Sequence, residues 1–142
     1  PQFAFASPRS LFMADKFVAK RNLIGDEPML AALIGMVGES AARDLHAMIN
    51  LDDKLPLFDS IIADPMGAPI PQDPVATCIL TYKAVMNVNK ETIGRWMNYL
   101  RRLPKENQGV FARCLLESDN AKSAADKSFI EWATENNYIF AK

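Results

Sequence analysis

Apolar residues recur along most of the chain with the three- or four-residue spacing of amphipathic helices. Two clear stripes are Ile93, Trp96, Met97, Leu100 and Leu103, and Met29, Leu30, Leu33, Ile34 and Val37. No two segments show the alternating pattern of paired strands. The pattern therefore predicts an all-α fold, a compact multi-helix bundle of about seven to eight helices. We expect them near residues 8–21, 27–37, 39–50, 55–63, 74–87, 90–103, 105–117 and 123–134.

A proline-rich stretch interrupts this pattern. Residues 64–74 contain four prolines in eleven positions, so they cannot form a helix. Proline stiffness and the apolar residues Met66 and Ile70 favour a structured crossover over a flexible linker. At 142 residues the chain is long enough for one domain with its own core. We expect a single helical domain over 1–142, made of a connector (1–7), a first helical half (8–63), the crossover (64–74) and a second half (75–142).

The segment Ala6-Ser7-Pro8-Arg9-Ser10 has the residues of a helix start. Ser7 is expected to be the N-cap, and Pro8 suits the first helical position. Arg9 then lies in the first turn, where the helix dipole favours anions and gives a cation no local stability. Arg9 could therefore meet an anion, most usefully a phosphate. A solvated surface arginine is the alternative, and on spacing alone it is the more common situation.

The ends of the chain carry apolar residues that we expect to pack. Phe3 and Phe5 are spaced to lie on one side of an extended segment, against this domain or against whatever precedes it. The tail Tyr138-Ile139-Phe140 is apolar enough to dock rather than fray.

Composition and charge narrow the protein class. Hydrophobic residues make up 49% of the chain and the formal net charge is −1, which is typical of an ordinary soluble globular protein. This charge gives no general attraction to nucleic acid or to anionic lipid. We find no signal peptide and no apolar run of about 18 residues, so we expect a cytoplasmic protein with no membrane partner. Cys78 and Cys114 each lie in an apolar helical pattern and are expected to be reduced core residues.

The acidic residues and the histidine give no catalytic set. His46 is the single histidine, and it cannot form a metal site alone, so we expect a surface or packing role. The candidate acids fall at expected caps and turns, where aspartate is favoured for backbone reasons: Asp52, Asp53, Asp64 and Asp73. The sequence has no Gly-rich phosphate loop, zinc-ligand spacing or nucleophile elbow, so we assign no catalytic residue and no metal site.

One basic cluster consists of Arg95, Arg101, Arg102 and Lys105. It could contact nucleic acid phosphates, but it lacks interleaved aromatic residues and lies in a domain that is not basic. We interpret it as a solvated face, and nucleic acid is not expected as a partner.

Four segments together carry a family resemblance. Ser7-Pro8-Arg9-Ser10 at the start of an amphipathic helix resembles the sensor 2 start of the C-terminal lid in AAA+ ATPases. The further segments are similar to the MoxR-type branch, including its bacterial and phage members, and occur in the same order. They are Ala31-Ala32-Leu33-Ile34-Gly35-Met36-Val37-Gly38-Glu39-Ser40-Ala41-Ala42, Ile70-Pro71-Gln72-Asp73-Pro74 and Tyr99-Leu100-Arg101-Arg102-Leu103-Pro104-Lys105-Glu106.

The resemblance implies an all-helical lid, somewhat larger than a minimal one, that follows a nucleotide-binding core. In the family the core supplies the Walker motifs, and the lid folds over ATP and Mg²⁺. Carried over by position, Arg9 would be the sensor 2 arginine that reaches the γ-phosphate, and Ser7 and Pro8 would fix the helix start that aims it. The implied partners are the preceding core, neighbouring subunits of a homo-oligomeric ring and a von Willebrand A domain protein. The implied work is chaperone-like remodelling.

The sequence departs from the family pattern because it contains no core. The 142 residues alone are therefore expected to bind no cofactor and to hydrolyse no ATP. The alternative function is a free-standing helical interaction or adaptor module without enzymatic activity. An exposed apolar patch around Phe3, Phe5 and Phe12 would fit either function.

Overall fold

The computed structural model describes residues 4–141, which form helices joined by turns and include no β-strand. The all-α prediction is therefore confirmed. Within this range no helix combines the length and hydropathy that crossing a membrane requires. The nine α-helices of the described residues are α1 (Pro8–Val18), α2 (Arg21–Ile24), α3 (Asp26–Val37), α4 (Glu39–Asp52), α5 (Phe58–Ala63), α6 (Pro74–Asn87), α7 (Ile93–Leu100), α8 (Lys105–Glu117) and α9 (Lys127–Glu135). Short 3₁₀-helices occur at Ala121–Ala125 and Asn137–Ile139.

The additional helix is α2, which lies where the first predicted helix, residues 8–21, was expected to end. α1 ends at Val18, and α2 begins at Arg21 after a two-residue turn. The Arg21 guanidinium donates from Nη1 to the Val18 carbonyl oxygen at 3.3 Å, which satisfies one acceptor at the end of α1. The same side chain forms an ion pair with Asp53 at 2.7 Å. Arg21 therefore links the end of α1 to Asp53.

The chain divides into two compact units, and the first ends at Asp53. In this unit α3 packs against α1, α2 and α4 around buried side chains of Ala14, Met29, Leu33, Val37 and Ala42. Gly25 and Gly38 precede α3 and α4 with φ of 88° and 86°, a conformation that favours glycine at these abrupt changes of direction. Gly25 takes the cap position of α3, and Asp26 is the first residue of the helix.

The second unit begins at Lys54 and is centred on large aromatic side chains. α6 packs on α8, and α7 packs on α5 and α9. The core is built around Trp96, Tyr99, Phe111 and Trp132, all buried. Ile61 of α5 is fully buried in this core. The boundary therefore differs from the one expected at residues 64–74, because α5 packs with the helices that follow it.

The proline-rich crossover is non-helical over residues 64–73, as predicted, and it is held by two side chains of the α7 region. The Tyr99 hydroxyl donates to the Pro69 carbonyl oxygen at 2.7 Å. Arg102 Nη1 donates to the carbonyl oxygens of Pro65 and Ala68, each at 2.8 Å. Ile70 packs against the core, but Met66, expected as an anchor, is exposed.

The C-terminal tail docks as predicted. The Ile139 side chain lies against Gly109, where an added Cβ would approach it to 3.3 Å. Arg113 donates to the Ile139 carbonyl oxygen, and the Phe140 ring meets the edge of Trp132 with centroids 6.3 Å apart. The tail therefore covers one side of α8 and α9.

Cys78, expected in the core, is exposed, and so are the apolar helix residues Leu11, Met48, Val110 and Ile130. Each lies on a helix whose apolar residues extend beyond the width that its neighbours cover. The central members of the same stripes are buried, including Ala42, Phe111 and Phe129. The exposed residues therefore lie at the edges of wide apolar stripes, and the helices themselves are where the sequence pattern predicts them.

Candidate functional site

The start of α1, residues 7–10, is closed by reciprocal hydrogen bonds between two serines. Ser7 Oγ accepts from the Ser10 backbone N–H at 3.2 Å, which confirms Ser7 as the N-cap. Ser10 Oγ accepts from the Ser7 backbone N–H at 2.8 Å, which completes a capping box. Pro8 occupies the first helical position, where its missing N–H costs nothing. The hydrogen bonds between Ser7 and Ser10 therefore hold the backbone before and after Arg9.

Arg9 is the second residue of α1, and its side chain is exposed. The first turn contains no acidic residue, and no residue between 4 and 141 forms a hydrogen bond or an ion pair with its guanidinium. The positive end of the helix dipole and a free guanidinium thus lie together at one exposed place. Such an arrangement can bind an anion, and a phosphate oxygen would match the guanidinium geometry.

An open depression of about 350 Å³ lies beside Arg9. Its lining combines the polar start of α1 with two methionines, Met13 of α1 and Met36 of α3. No sequence pattern indicates that Met36 lies near Arg9, because 27 positions separate them and the packing of α3 on α1 brings them together.

Apolar side chains surround the same end of α1. Phe5 is 73% exposed and Phe12 is 61% exposed, while Lys16 Nζ lies 4.8 Å from the centroid of the Phe12 ring. Exposed phenylalanines of this kind usually mark a contact surface. Phe3, which was expected to share this patch, lies outside the described residues.

His46 has a packing role, as the sequence suggested. Its Nε2 lies 2.7 Å from Asp26 Oδ1, and its side chain is largely covered. Arg21 and Asp53 lie along the same shallow depression. The hydrogen bond to Asp53 raises the pKa of the Arg21 guanidinium and keeps it charged. Among residues 4–141, no group of three or more His, Cys, Asp or Glu side chains could hold a metal ion.

Two of the four candidate acids, Asp64 and Asp73, have the backbone roles that were expected. Asp73 caps α6 by accepting from Val75 N and Ala76 N at 2.8 Å and 3.0 Å. Asp64 accepts from Gly67 N at 2.9 Å. Asp53 differs, because it pairs with Arg21 and joins the end of α4 to α2.

The basic cluster is only partly a solvated face. Arg101 pairs with Glu135 at 2.7 Å, and Lys105 Nζ donates to Asn136 Oδ1 at 2.9 Å. Arg102 is half-buried and holds the crossover, so the solvated interpretation is wrong for this residue. Arg95 is exposed. Most of these cations therefore stabilise the second unit.

The cysteines do not form a redox or metal pair in the described chain. Both are free thiols; Cys114 is half-buried, but Cys78 is exposed on α6. The prediction that both are core residues is therefore wrong for Cys78. Its neighbours on the same helix face, Val75, Tyr82 and Met86, are exposed as well.

Sequence reasoning missed two features near these sites. Ser10 completes the capping box, and a Ser-x-x-Ser spacing was its only signal, weaker than the usual Ser-x-x-Glu. Gln108 is a buried residue of α8, and its Oε1 accepts from the indole N–H of Trp132 on α9 at 2.7 Å. Nothing in the local pattern indicates that pairing, since a glutamine at this place in a helix is normally exposed.

No family model matches the chain, and no curated protein or solved structure matches it.

Proposed function

We propose that this chain is the C-terminal helical lid of a MoxR-like AAA+ ATPase, in which Arg9 is the sensor 2 arginine. The lid would act in the cytoplasm as part of a homo-oligomeric, chaperone-like remodelling ring. The preceding ATPase core would supply the groups that bind ATP and Mg²⁺. A von Willebrand A domain protein is the partner that the family resemblance suggests.

One observation carries the proposal. Arg9 is exposed and unpaired within residues 4–141, at the second position of a helix whose start is fixed by Ser7, Pro8 and Ser10. A surface arginine with no functional role needs no such support, and this position gives it no favourable dipole interaction. An anion that approaches the start of α1 would meet both the guanidinium and the helix end.

The order of the four sequence segments supports the same function. They span both compact units, from the start of α1 to the first residues of α8. The described residues form helices and turns with no β-strand, as an all-helical lid of this family would. The exposed Phe5 and Phe12 beside Arg9 would suit a surface that meets the ATPase core.

Arg9 would act on phosphoryl transfer by electrostatic stabilisation. Charge on the transferred phosphoryl group is the main quantity that a protein stabilises in this reaction. A guanidinium that contacts the γ-phosphate of ATP, and has no such contact in ADP, would also make the position of the lid depend on the nucleotide.

The first test is the coding DNA upstream of Pro1. An open frame that continues upstream through a strand, a G-x-x-x-x-G-K-[ST] loop and a helix would support the proposal. A stop codon and a ribosome-binding site immediately before Pro1 would contradict it.

The second test is the Arg9→Ala variant of the full-length protein. We expect ATP turnover to fall at least about tenfold with the fold intact, because one cation is lost from the phosphoryl-transfer site. Arg9→Lys keeps the charge but loses the bidentate geometry, so its ATP turnover should lie between that of the parent and that of Arg9→Ala. Arg43→Ala is the matched control, since Arg43 is an exposed arginine of α4 that pairs with Glu39 of the same helix. Unchanged turnover in Arg9→Ala would remove the sensor role.

A calorimetric titration of the 142-residue chain completes the test. We expect no ATP binding at sub-millimolar concentration, because the groups that bind most of the nucleotide would lie on the core. Tight binding would reveal a nucleotide site of this chain's own and would contradict the assignment of Arg9 as an accessory contact.

A free-standing interaction module is the second candidate, and the surface of α6 favours it. Val75, Tyr82 and Met86 are all exposed, and their spacing places them on one side of this helix. An apolar face of this kind suits a protein partner. The upstream DNA separates the two candidates, because only the lid requires a preceding ATPase core.

A further inference from the structure

Ser10 connects the first turn of α1 to the chain that leads into it. Its Oγ accepts from the Ser7 backbone N–H at 2.8 Å. Its single hydroxyl proton can be donated to the carbonyl oxygen of Phe5 or of Ser7, each 3.1 Å away. Through one hydroxyl, the helix therefore holds a residue three positions before its first turn.

We propose that Ser10 is a positioning residue for Arg9: an uncharged hydroxyl that fixes the direction of the incoming chain relative to α1. This inference rests on the proposed function, in which the incoming chain comes from the ATPase core. A rigid junction would then hold the Arg9 backbone at a set place relative to the core, so that only its side chain has to adjust.

The contacts separate this role from simple helix capping. The helix start is held by Ser7 Oγ, which accepts from Ser10 N, and by the Ser7 carbonyl oxygen, which accepts from Leu11 N at 2.9 Å. Neither bond uses the Ser10 side chain. Ser10→Ala would remove the bonds that the Ser10 hydroxyl makes with Ser7 N, with Ser7 Oγ at 3.1 Å and with the carbonyl oxygens of Phe5 and Ser7. The helix would remain, but residues 5–7 would be held less firmly against its first turn.

The choice of serine also has an electrostatic consequence. Capping boxes commonly use Glu or Gln at this third position. A glutamate here would add a negative charge to the first turn, which would weaken the attraction of the helix start for a phosphate. The first turn of α1 contains no acidic residue. Ser10 therefore closes the box without adding a negative charge.

Three variants of the full-length protein test the inference against Arg9→Ala. Ser10→Ala should lower kcat for ATP about threefold to tenfold, with a smaller change in KM, because positioning is lost in the transition state. Ser10→Gln restores a neutral capping box and should recover kcat to within about twofold of the parent. Ser10→Glu restores the box but adds a charge, and should stay at least about threefold low. Ser40→Ala, at an exposed serine of α4, is the control.

The outcomes distinguish the inference from the proposed function. If Arg9→Ala loses activity while Ser10→Ala does not, Ser10 is not a positioning residue and the lid assignment stands. If Ser10→Gln is as slow as Ser10→Ala, or Ser10→Glu is as fast as Ser10→Gln, the positioning argument is overturned. If Arg9→Ala is fully active, the proposed function itself fails.

A structural readout on the 142-residue chain does not depend on ATP. In Ser10→Ala, hydrogen exchange of the Ser7 amide should accelerate at least about threefold, while the circular dichroism of the helices stays unchanged. Ser10→Gln should restore the protection. Equal Ser7 exchange in the parent chain and in Ser10→Ala would overturn the inference, because the junction bond would then carry no stability.

Discussion

Gln108 offers the sharpest test of how the second unit is held together. It is 3% exposed, and its amide forms three hydrogen bonds, one to α9 and two to the turn that follows α7. Its Oε1 accepts from the Trp132 indole N–H at 2.7 Å. Its Nε2 donates to the carbonyl oxygens of Leu103 and Arg101 at 2.8 Å and 3.2 Å. One side chain thus joins α9 to the turn between α7 and α8.

The substitution Gln108→Met keeps the length of the side chain and removes all three bonds. It leaves the buried Trp132 N–H unpaired and takes a donor from the Leu103 carbonyl. In the described residues no buried side-chain nitrogen or oxygen otherwise lacks a partner. A buried unsatisfied group costs about 1–3 kcal/mol, so we expect the free energy of unfolding to fall by about 2–4 kcal/mol. That is a large part of the 5–15 kcal/mol (roughly) that stabilises a typical domain.

Urea unfolding followed by tryptophan fluorescence measures this loss directly. Both tryptophans, Trp96 and Trp132, lie in the second unit, so the signal reports on that unit. Gln72→Met is the matched control, because Gln72 is exposed; its change should be within about 0.5 kcal/mol. The slope of the free energy with urea should stay the same for both variants.

A double-mutant cycle identifies the cause. In a Trp132→Phe background no indole N–H remains to be left unpaired. Gln108→Met should then cost at least about 1 kcal/mol less than in the parent chain. Equal costs in the two backgrounds, or equal costs of Gln108→Met and Gln72→Met, would refute the reasoning.

Two further predictions concern the crossover. Burial raises the pKa of Tyr99 to about 12, opposed by Arg102, whereas an unfolded tyrosine ionises near pH ~10. Because the folded pKa is the higher one, the stability that this shift gives the folded state is complete below pH ~10. It is lost as the pH rises towards 12, by at most about 3 kcal/mol. Chemical unfolding across that pH range should show this fall in the parent relative to Tyr99→Phe, and parallel curves would contradict it. Gly67→Ala should cost about 1 kcal/mol, since its Cβ would lie 2.1 Å from Asp64 Oδ2 and displace the carboxylate from Gly67 N. An equal cost in an Asp64→Ala background, measured by urea unfolding, would show that this clash is not the cause.

Local signals in the sequence located several helix ends correctly. Ser7-Pro8 and Asp73-Pro74 predicted the starts of α1 and α6, and both aspartate and serine caps are present. The predicted helix 105–117 coincides with α8. These features follow from sequence because a cap and its partners lie within three residues of each other.

The Ser7-Pro8 helix start also predicted that Arg9 lies in the first turn, but it did not predict which residues surround Arg9. Met36 lies beside it only because α3 packs on α1. Likewise, the bonds of Arg102 to Pro65 and Ala68 join residues more than thirty positions apart. No short-range pattern distinguishes an arginine with such partners from a solvated one, so the basic cluster was misjudged.

The sequence by itself determined the helical class, most helix boundaries and the inward stripe of α7, where all five predicted residues from Ile93 to Leu103 are buried. Tertiary structure decided which edge of each wider stripe is covered, and so left Met48, Val110 and Ile130 exposed. It also decided that α5 packs with the second unit. The physical reason is range: hydrogen bonding and side-chain periodicity act within a few residues, whereas burial depends on which helices meet.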